Sequence, residues 1–192
     1  MALSKRIPAT ILVGVIVTLC MASKCTAAAP RNLLENGDFQ ESLEHWIIIG
    51  NGTNPYHPED PGRAAFEAKD GYLEISIRNP GKSIWSVMLC QSVVFEKGCS
   101  YRVSFTAKAE SRFRIISNVT QDVTWTNFSG DNEFSLSAKP SDYSFEFTMS
   151  EGGPALVQFC LGSAGVGKVF IRNVALAKVP AISSSRDTPP AR

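Results

Sequence analysis

Residues 101–108 read Tyr-Arg-Val-Ser-Phe-Thr-Ala-Lys, and this stretch decides the fold. Apolar and polar residues alternate along it, which is the pattern of a β-strand with one buried and one solvated face. The same alternation returns in residues 72–78, 134–138, 143–149 and 155–161. No segment downstream of the N-terminal apolar run shows a convincing helical period. The pattern therefore predicts an all-β chain.

Turn-forming residues separate the alternating runs. Glycine supplies positive φ and proline supplies a fixed φ at these positions. The turn formers include Asp70-Gly71, Asn79-Pro80-Gly81, Glu96-Lys97-Gly98, Lys139-Pro140-Ser141 and Glu151-Gly152-Gly153-Pro154. About eight to ten strands with this spacing predict an antiparallel β-sandwich, or jelly roll. Residues 50–63, which are rich in proline, are instead expected to form a long irregular loop.

The N-terminus has the layout of a secretory signal peptide. Lys5 and Arg6 precede an apolar run over residues 7–21, and small residues at 27–29 offer a cleavage site. A retained signal anchor is the alternative, but about 15 apolar residues are fewer than the roughly 20 that span a bilayer. We therefore expect residues 1–29 to be removed and the protein to be secreted, to the extracellular space or the cell wall.

The remaining chain is expected to form one domain over residues 30–180, followed by a disordered tail over residues 181–192 that has no apolar period. Removing residues 1–29 takes away three basic residues and no acidic one, so 16 basic residues stand against 18 acidic ones, a net charge of −2. The chain contains no basic run. This charge pattern argues against nucleic acid and other anionic polymers as partners.

Three cysteines follow the predicted cleavage site, in a compartment where disulfides form. One pair and one free thiol are expected from Cys90, Cys99 and Cys160. We favour a Cys90–Cys160 bridge because each of the two lies inside an alternating strand. A bridge to Cys99 stays open, since the sequence does not report which Cα atoms lie within about 7 Å. The scattered spacing is not that of a zinc site.

No catalytic residue can be assigned. His45 and His57 are the only histidines, and no Gly-x-Ser-x-Gly motif is present. Glycoside hydrolysis needs two carboxylates across a cleft, and no spacing singles out such a pair.

The tripeptides at Asn51, Asn118 and Asn127 are N-glycosylation acceptors.

Residues 32–39 read Asn-Leu-Leu-Glu-Asn-Gly-Asp-Phe, and Trp46 follows seven residues later. Together with residues 85–91 and 98–109, this string resembles carbohydrate-binding modules of the family 4/9 type, which are galactose-binding-like jelly rolls. The resemblance covers residues 32–179. It implies a noncatalytic module with a polysaccharide partner of the β-glucan, xylan or cellulose class, held in a groove across one sheet. It also implies that Trp46 is a core residue.

In such a groove, aromatic rings pack against the C–H faces of sugar rings while amide and guanidinium groups bond the hydroxyls. Gln158 points away from the face of Val157 and Phe159, which favours it as a groove residue, and Arg114 is a weaker candidate. Asn118 and Asn127 flank Trp125, so a glycan on either would crowd that indole. The predicted sugar contacts are Trp85, Trp125, Gln158, Arg114 and Tyr56.

One departure from the family concerns calcium. Many related modules carry an aspartate in the last strand, where this chain has Arg172, and an arginine cannot ligate calcium. We therefore expect no cofactor, and a structural calcium ion, with Asp38 as a remnant of its site, is the less favoured alternative. Arg172 is expected to replace the cation and to pair with Asp38 or Glu35.

A second departure is Met88, which stands where related modules often have a polar groove residue. This methionine favours, as an alternative function, an extracellular structural or protein-interaction sandwich that has lost glycan binding. A small glycoside hydrolase is a third and less favoured alternative. The particular sugar and the oligomeric state are left open by the sequence.

Overall fold

The computed structural model describes residues 31–52, 54 and 57–180. The predicted signal peptide, the predicted tail and Tyr56 lie outside the described residues. Within the part of the chain that is described, no helix has both the length and the apolar character to cross a bilayer.

The described chain contains ten β-strands, in agreement with the eight to ten that the alternation predicts. They are β1 Ile47–Ile49, β2 Arg63–Lys69, β3 Tyr72–Asn79, β4 Met88–Phe95, β5 Ser100–Ala109, β6 Phe113–Thr120, β7 Asn132–Leu136, β8 Ser141–Thr148, β9 Gly153–Cys160 and β10 Gly167–Val179. A three-residue 3₁₀ turn, Ile84–Ser86, precedes β4.

The strands form two five-stranded antiparallel sheets, in the orders β1-β4-β9-β6-β7 and β2-β3-β10-β5-β8. Their inner faces share one core, to which Val157 and Phe159 contribute from the first sheet and Val103, Phe105 and Ile171 from the second. Burial of the apolar half of each alternating strand is the main stabilising term of such a sandwich. The predicted antiparallel jelly roll is confirmed.

The β2–β3 hairpin shows how turn chemistry fixes the register. Lys69 pairs with Tyr72 across Asp70 and Gly71, whose φ angles are +52° and +72°. Positive φ at both central residues defines the type I′ turn that matches strand twist. The register places Leu73 in the core and Tyr72 on the outer face of the sheet.

Hydrogen bonds of Asn36 hold together the N-terminal segment, residues 32–46. Asn36 itself has a φ of +47°. Its Nδ2 atom donates to the carbonyls of Ser42 and Glu44, both at 3.1 Å. Its own carbonyl accepts from Trp46 Nε1 at 3.0 Å. Trp46 is 7% exposed and packs against Phe39 at 5.4 Å between ring centroids. The prediction that Trp46 belongs to the core is confirmed.

The predicted pairing of Arg172 with Asp38 or Glu35 is wrong. Strand β10 directs Arg172 to the outer face of its sheet, where its Cζ atom lies 4.5 Å from the centroid of the Tyr72 ring. Glu35 instead pairs with His45 Nδ1 at 2.8 Å. Among the described residues, Asp38 belongs to no group of three potential metal ligands.

The predicted Cys90–Cys160 disulfide is also absent from the structure, in which Cys90, Cys99 and Cys160 are all free thiols. On the neighbouring strands β4 and β9, Cys90 stands opposite Gln158 and Cys160 opposite Met88. The two cysteines are therefore diagonal neighbours, whose Cβ atoms are typically about 7 Å apart, whereas a disulfide needs about 4 Å.

Candidate functional site

Part of the outer face of the first sheet is buried. Ile49, Met88, Cys90, Leu156 and Cys160 form an apolar cluster on that face, separate from the main core. Strands β4 and β9 therefore bury apolar side chains on both sides of the sheet, so something other than the second sheet must cover the outer side. Loops provide that cover. We call this outer side of the first sheet the cleft face, after the cleft described next.

A cleft of about 290 Å³ opens on the cleft face. This is close to the lower end of the range of ligand pockets, roughly 300 to 1,000 Å³. Three segments wall it: the loop between β1 and β2, the 3₁₀ turn before β4, and the loop between β6 and β7. Their lining residues are Asn54 and His57, then Ile84 and Trp85, then Trp125, Asn127 and Asp131.

Trp85 and Trp125 both line this cleft, and each is 43% exposed. Trp85 precedes β4 and Trp125 follows β6, so the two indoles reach the cleft from strands on either side of β9. The ring of His57 lies 5.6 Å from that of Trp85. Half-exposed aromatic rings facing one cleft provide apolar surfaces on which flat ligands can pack.

Asp60 holds the turn that carries Trp85. Its carboxylate accepts hydrogen bonds from the amides of Lys82 at 2.8 Å and Ser83 at 3.0 Å, and from Ser86 Oγ at 2.6 Å. The Ser86 hydroxyl and then the Lys82 amide lower the pKa of Asp60 to about 2. The carboxylate thus stays ionised and ties the loop before β2 to the 3₁₀ turn.

Two glycines allow the backbone to pack directly against the same turn. A Cβ atom on Gly62 would lie 2.2 Å from the carbonyl oxygen of Ser86. One on Gly162 would lie 2.1 Å from the carbonyl oxygen of Ser83. Neither position has room for a side chain, so Trp85 sits on a closely packed support.

The floor of the cleft contains buried polar groups with unsatisfied hydrogen-bonding capacity. Asn118, Thr120 and Gln158 are 4%, 6% and 3% exposed, and Asn118 stands opposite Gln158 across β6 and β9. Asn118 Oδ1, Thr120 Oγ1 and Gln158 Nε2 have no hydrogen-bond partner among the described residues. Buried polar atoms are normally paired, so a cluster of unpaired ones beside a cleft indicates a place for ligand hydroxyls.

Asp131 organises the edge of this floor. One of its carboxylate oxygens, Oδ1, accepts from Asn118 Nδ2 at 2.7 Å and from Asn127 Nδ2 at 2.9 Å. The first bond leaves Asn118 with its Oδ1 atom as the unpaired group. Asp131 therefore sets which atom of Asn118 is available to a ligand as an acceptor.

Three of the five predicted sugar contacts meet in this cleft, namely Trp85, Trp125 and Gln158. Their role in binding sugar stays a prediction. Arg114 does not line the cleft: it forms an ion pair with Glu133 at 3.1 Å, with both side chains 53% exposed. Its guanidinium is paired with a carboxylate on the neighbouring strand β7. Exposed arginines of strands often serve in this way as solubilising charges.

Sequence reasoning missed Asn118, Thr120, His57 and Asp131 as cleft residues. The argument that selects Gln158 also selects Asn118 and Thr120, because Val119 between them points into the core. As a glycan acceptor, Asn118 does not suit the folded state, since its amide is buried and bonded to Asp131.

The other two predicted glycan acceptors, Asn51 and Asn127, are exposed. Their modification stays a prediction. Asn127 lines the cleft, so a glycan there would stand at the cleft opening.

The strand order and the aromatic cleft together define a β-sandwich with a ligand-sized cleft on one face. The model of the family described as "Carbohydrate binding domain", of type 4/9, matches residues 31–163. The chain belongs to this family, as the sequence motifs predict. No curated protein matches the chain.

Several solved structures share the fold. One described as "CBM4 structure and function" is 24% identical, with a TM-score of 0.69, over 76% of this chain and 99% of that one. The N-terminal cellulose-binding domain of Cellulomonas fimi β-1,4-glucanase C is 20% identical, with a TM-score of 0.57, over 80% of this chain and 99% of that one. At these identities the likeness concerns the fold alone.

Proposed function

We propose that this protein is a secreted, noncatalytic module that holds a polysaccharide of the β-glucan, xylan or cellulose class in its cleft. The observation that carries the proposal is the pair of half-exposed indoles, Trp85 and Trp125, above a floor of unpaired polar atoms. The name of the Cellulomonas fimi structure, a cellulose-binding domain, supports this polysaccharide class.

In this binding mode the two indoles pack against the C–H faces of sugar rings. Gln158 Nε2 donates to one hydroxyl oxygen, and the neighbouring Asn118 Oδ1 accepts from another hydroxyl. Because both atoms are already buried in the free protein, a ligand hydroxyl supplies a hydrogen bond that the free protein lacks. The ligand therefore gains polar contacts without further desolvation of these two side chains.

The lining residues favour a neutral polysaccharide in the cleft. Among the described lining residues, Asp131 is the only carboxylate and no lysine or arginine is present. A sugar carboxylate placed here would face Asp131 without a cationic partner, which disfavours its ionised form. The single carboxylate also argues against glycoside hydrolysis, which needs two.

Secretion rests on the N-terminal sequence, with its basic residues, apolar run and small residues at 27–29. Localisation to the extracellular space or cell wall follows from that segment and from the polymer class of the ligand. Recovery of a secreted product that begins near Ala28 would support this part of the proposal, and an uncleaved membrane-bound product would contradict it.

The test is a binding panel of insoluble cellulose, β-glucan and xylan, with the wild-type protein and two variants, Trp85→Ala and Trp125→Ala. Each variant should weaken binding by about 30-fold, the effect of removing an aromatic hot spot. Val166→Ala serves as the control, because Val166 is an exposed apolar residue outside the lining of the cleft. Circular dichroism should show that all variants are folded.

The proposal fails if no polysaccharide of the panel binds, or if both tryptophan variants bind as the wild type does. A second candidate, an extracellular protein-interaction module, is favoured by the apolar floor around Met88, Cys90 and Leu156. Retention of a purified secreted partner protein, abolished by Trp125→Ala and without any glycan affinity, would support that second candidate.

A further inference from the structure

The second sheet, β2-β3-β10-β5-β8, has an outer face of a different character. Its strands bring together basic residues that are far apart in the sequence. Lys69 pairs with Tyr72, and Lys108 pairs with Phe170. Arg172 lies beside Tyr72, next to the Ile171–Leu73 pair. We call Lys69, Tyr72, Lys108, Phe170 and Arg172 the basic patch.

Two aromatic rings hold two of these cations in place. Arg172 Cζ lies 4.5 Å from the centroid of the Tyr72 ring. Lys108 Nζ lies 5.0 Å from the same centroid and 4.9 Å from that of Phe170. The two rings meet edge to face at 6.3 Å. Such cation–π contacts restrict the side chains and keep their charges together at the surface.

The cations of the basic patch have no carboxylate partner among the described residues. The ion pairs on this face join Arg102 to Glu146 and Lys168 to Glu74. Lys69, Lys108 and Arg172 form none, and Arg172 Nε is buried without a hydrogen-bond partner. Two carboxylates flank the patch on the same face, Glu74 opposite Phe170 and Glu67 opposite Glu74, and Lys168 pairs with Glu74. The three cations of the patch therefore outnumber the one remaining carboxylate, in a chain whose expected secreted form has a net charge of −2 and no basic run.

We propose that the basic patch binds the carboxylates of an acidic polysaccharide, a polymer that contains uronic acids, independently of the cleft. The guanidinium of Arg172 matches a carboxylate in geometry, and Lys69 and Lys108 add positive charge beside it. The patch lies on the outer face of an antiparallel sheet, where an extended polysaccharide can contact several neighbouring strands.

A lipid surface fits the patch less well than a polysaccharide does. Binding to a membrane interface needs protruding apolar side chains in addition to basic ones. The exposed large apolar side chains of the described residues all lie outside the second sheet: Leu33, Ile47, Trp85, Val94, Val123, Trp125 and Val166.

The test measures binding of polygalacturonate to the secreted protein by calorimetry. The double variant Lys108→Gln/Arg172→Gln should weaken binding by at least about tenfold, the effect of losing one hydrogen bond to a charged group. The double variant Lys97→Gln/Lys139→Gln removes the same charge from two exposed turns and should bind as the wild type does. Lys69→Gln, a milder change at the end of β2, should weaken binding even if the first double variant does not fold.

Two further measurements test the charge and the site. Fully methyl-esterified polygalacturonate should not bind, and raising the ionic strength from about 0.01 to about 0.1 M should weaken binding, because the Debye length falls from about 30 to about 10 Å. Trp125→Ala should leave polygalacturonate binding unchanged. The patch variant should leave binding of neutral polysaccharide unchanged, so failure of this proposal is distinguishable from failure of the cleft proposal.

The proposal is overturned if polygalacturonate does not bind, if the charge-matched control loses as much affinity as the patch variant, or if the methyl ester binds equally well. It is also overturned if the patch variant loses affinity for phosphatidylserine vesicles while polygalacturonate shows no binding. That result would assign the patch to a lipid surface.

Discussion

The two outer faces of the sandwich differ although both are made of antiparallel strands. On the cleft face, β4 and β9 place Met88, Cys90, Leu156 and Cys160 under a cover of loops. On the face of the basic patch, the strands direct polar, charged, aromatic and small side chains outward, and a β-bulge interrupts the alternation between Arg172 and Ala175. One face therefore depends on its loops for shape, whereas the other depends only on strand register.

This difference predicts where the molecule tolerates change. The position of Trp85 depends on close backbone packing at Gly162 and on the carboxylate of Asp60. The position of Arg172 depends on the pairing of β10 with its neighbours and on the ring of Tyr72. Small changes under the cleft loops should therefore have larger effects than similar changes on the second sheet.

The largest effect is expected from Gly162→Ala. The added methyl group would lie 2.1 Å from the Ser83 carbonyl oxygen and 2.7 Å from that of Ile84, so the turn before β4 must move. Overpacking of this kind typically costs roughly 1 to 3 kcal/mol of unfolding free energy. The midpoint of thermal unfolding should fall, and binding to neutral polysaccharide should be lost as Trp85 is displaced.

Ser104→Thr is the matched control on the second sheet, because it adds one carbon to an outward-facing position of β5. It should change neither the unfolding midpoint nor the affinity for neutral polysaccharide. Equal destabilisation by the two substitutions would show that the cleft loops are no more sensitive than the strand surface.

Asp60→Asn should weaken polysaccharide binding about tenfold at neutral pH, the scale of one hydrogen bond to a charged group that positions a binding residue. The folded-state pKa of Asp60, about 2, lies below its ordinary value of 3.8. Its contribution to the unfolding free energy is therefore complete above pH 3.8 and is lost as the pH falls from 3.8 through about 2. The unfolding free energy of the wild type, measured by chemical denaturation, should fall in that window, whereas the affinity measured by calorimetry should fall only near pH 2, where the folded-state carboxylate becomes protonated.

The same loss at low pH in the Asp60→Asn variant would show that another group is responsible. Asp70→Asn is a suitable control, because Asp70 sits in the exposed β2–β3 turn at a positive φ that asparagine tolerates. This control should have the affinity of the wild type at neutral pH.

A pair of glutamines on the first sheet separates binding from stability. Gln158→Leu removes a buried amide whose Nε2 atom is unpaired, so unfolding free energy should stay equal or rise by about 1 kcal/mol while affinity falls about fivefold. Gln91→Leu removes an amide that bonds both the N–H and the carbonyl of Glu35, at 2.8 and 2.9 Å. It should lower unfolding free energy by roughly 1 to 3 kcal/mol.

Chemical denaturation and calorimetry measure the two quantities for each glutamine variant. The affinity of Gln91→Leu should match that of the wild type, because Gln91 lies on the core side of β4. A stability loss in Gln158→Leu equal to that in Gln91→Leu would mean that the Gln158 amide is satisfied in the free protein.

The sequence predicts the fold well because local patterns determine it. Period-two alternation predicts the strands, and Asp70-Gly71 predicts the turn that joins β2 to β3. The outward orientation of Gln158 follows from the same alternation. Each of these inferences needs only the neighbours of a residue along the chain.

The contacts that the sequence does not predict depend on which strands are neighbours and in what register they pair. Arg114 has Glu133 within reach only because β7 pairs with β6. Arg172 stacks on Tyr72 because β10 pairs with β3, a relation between residues 100 positions apart in the sequence. The walls of the cleft come from three separate loops, so neither its volume nor its polar floor could be predicted from sequence spacing.

The smallest effect is expected in the reactivity of the cysteine thiols. Strand register places two of them, Cys90 and Cys160, in the buried cluster under the cleft. Burial raises the pKa values of Cys90 and Cys160 to about 12, so at pH 8 almost none of either thiol is the reactive thiolate. Iodoacetamide should therefore modify half-buried Cys99 first in the native secreted chain, and Cys99→Ser should remove that reaction. In denaturant without reductant, all three thiols should react. If only one reacts, two of the cysteines are joined by a disulfide, and mapping the pair would show whether the diagonal Cys90–Cys160 register had closed beneath the cleft.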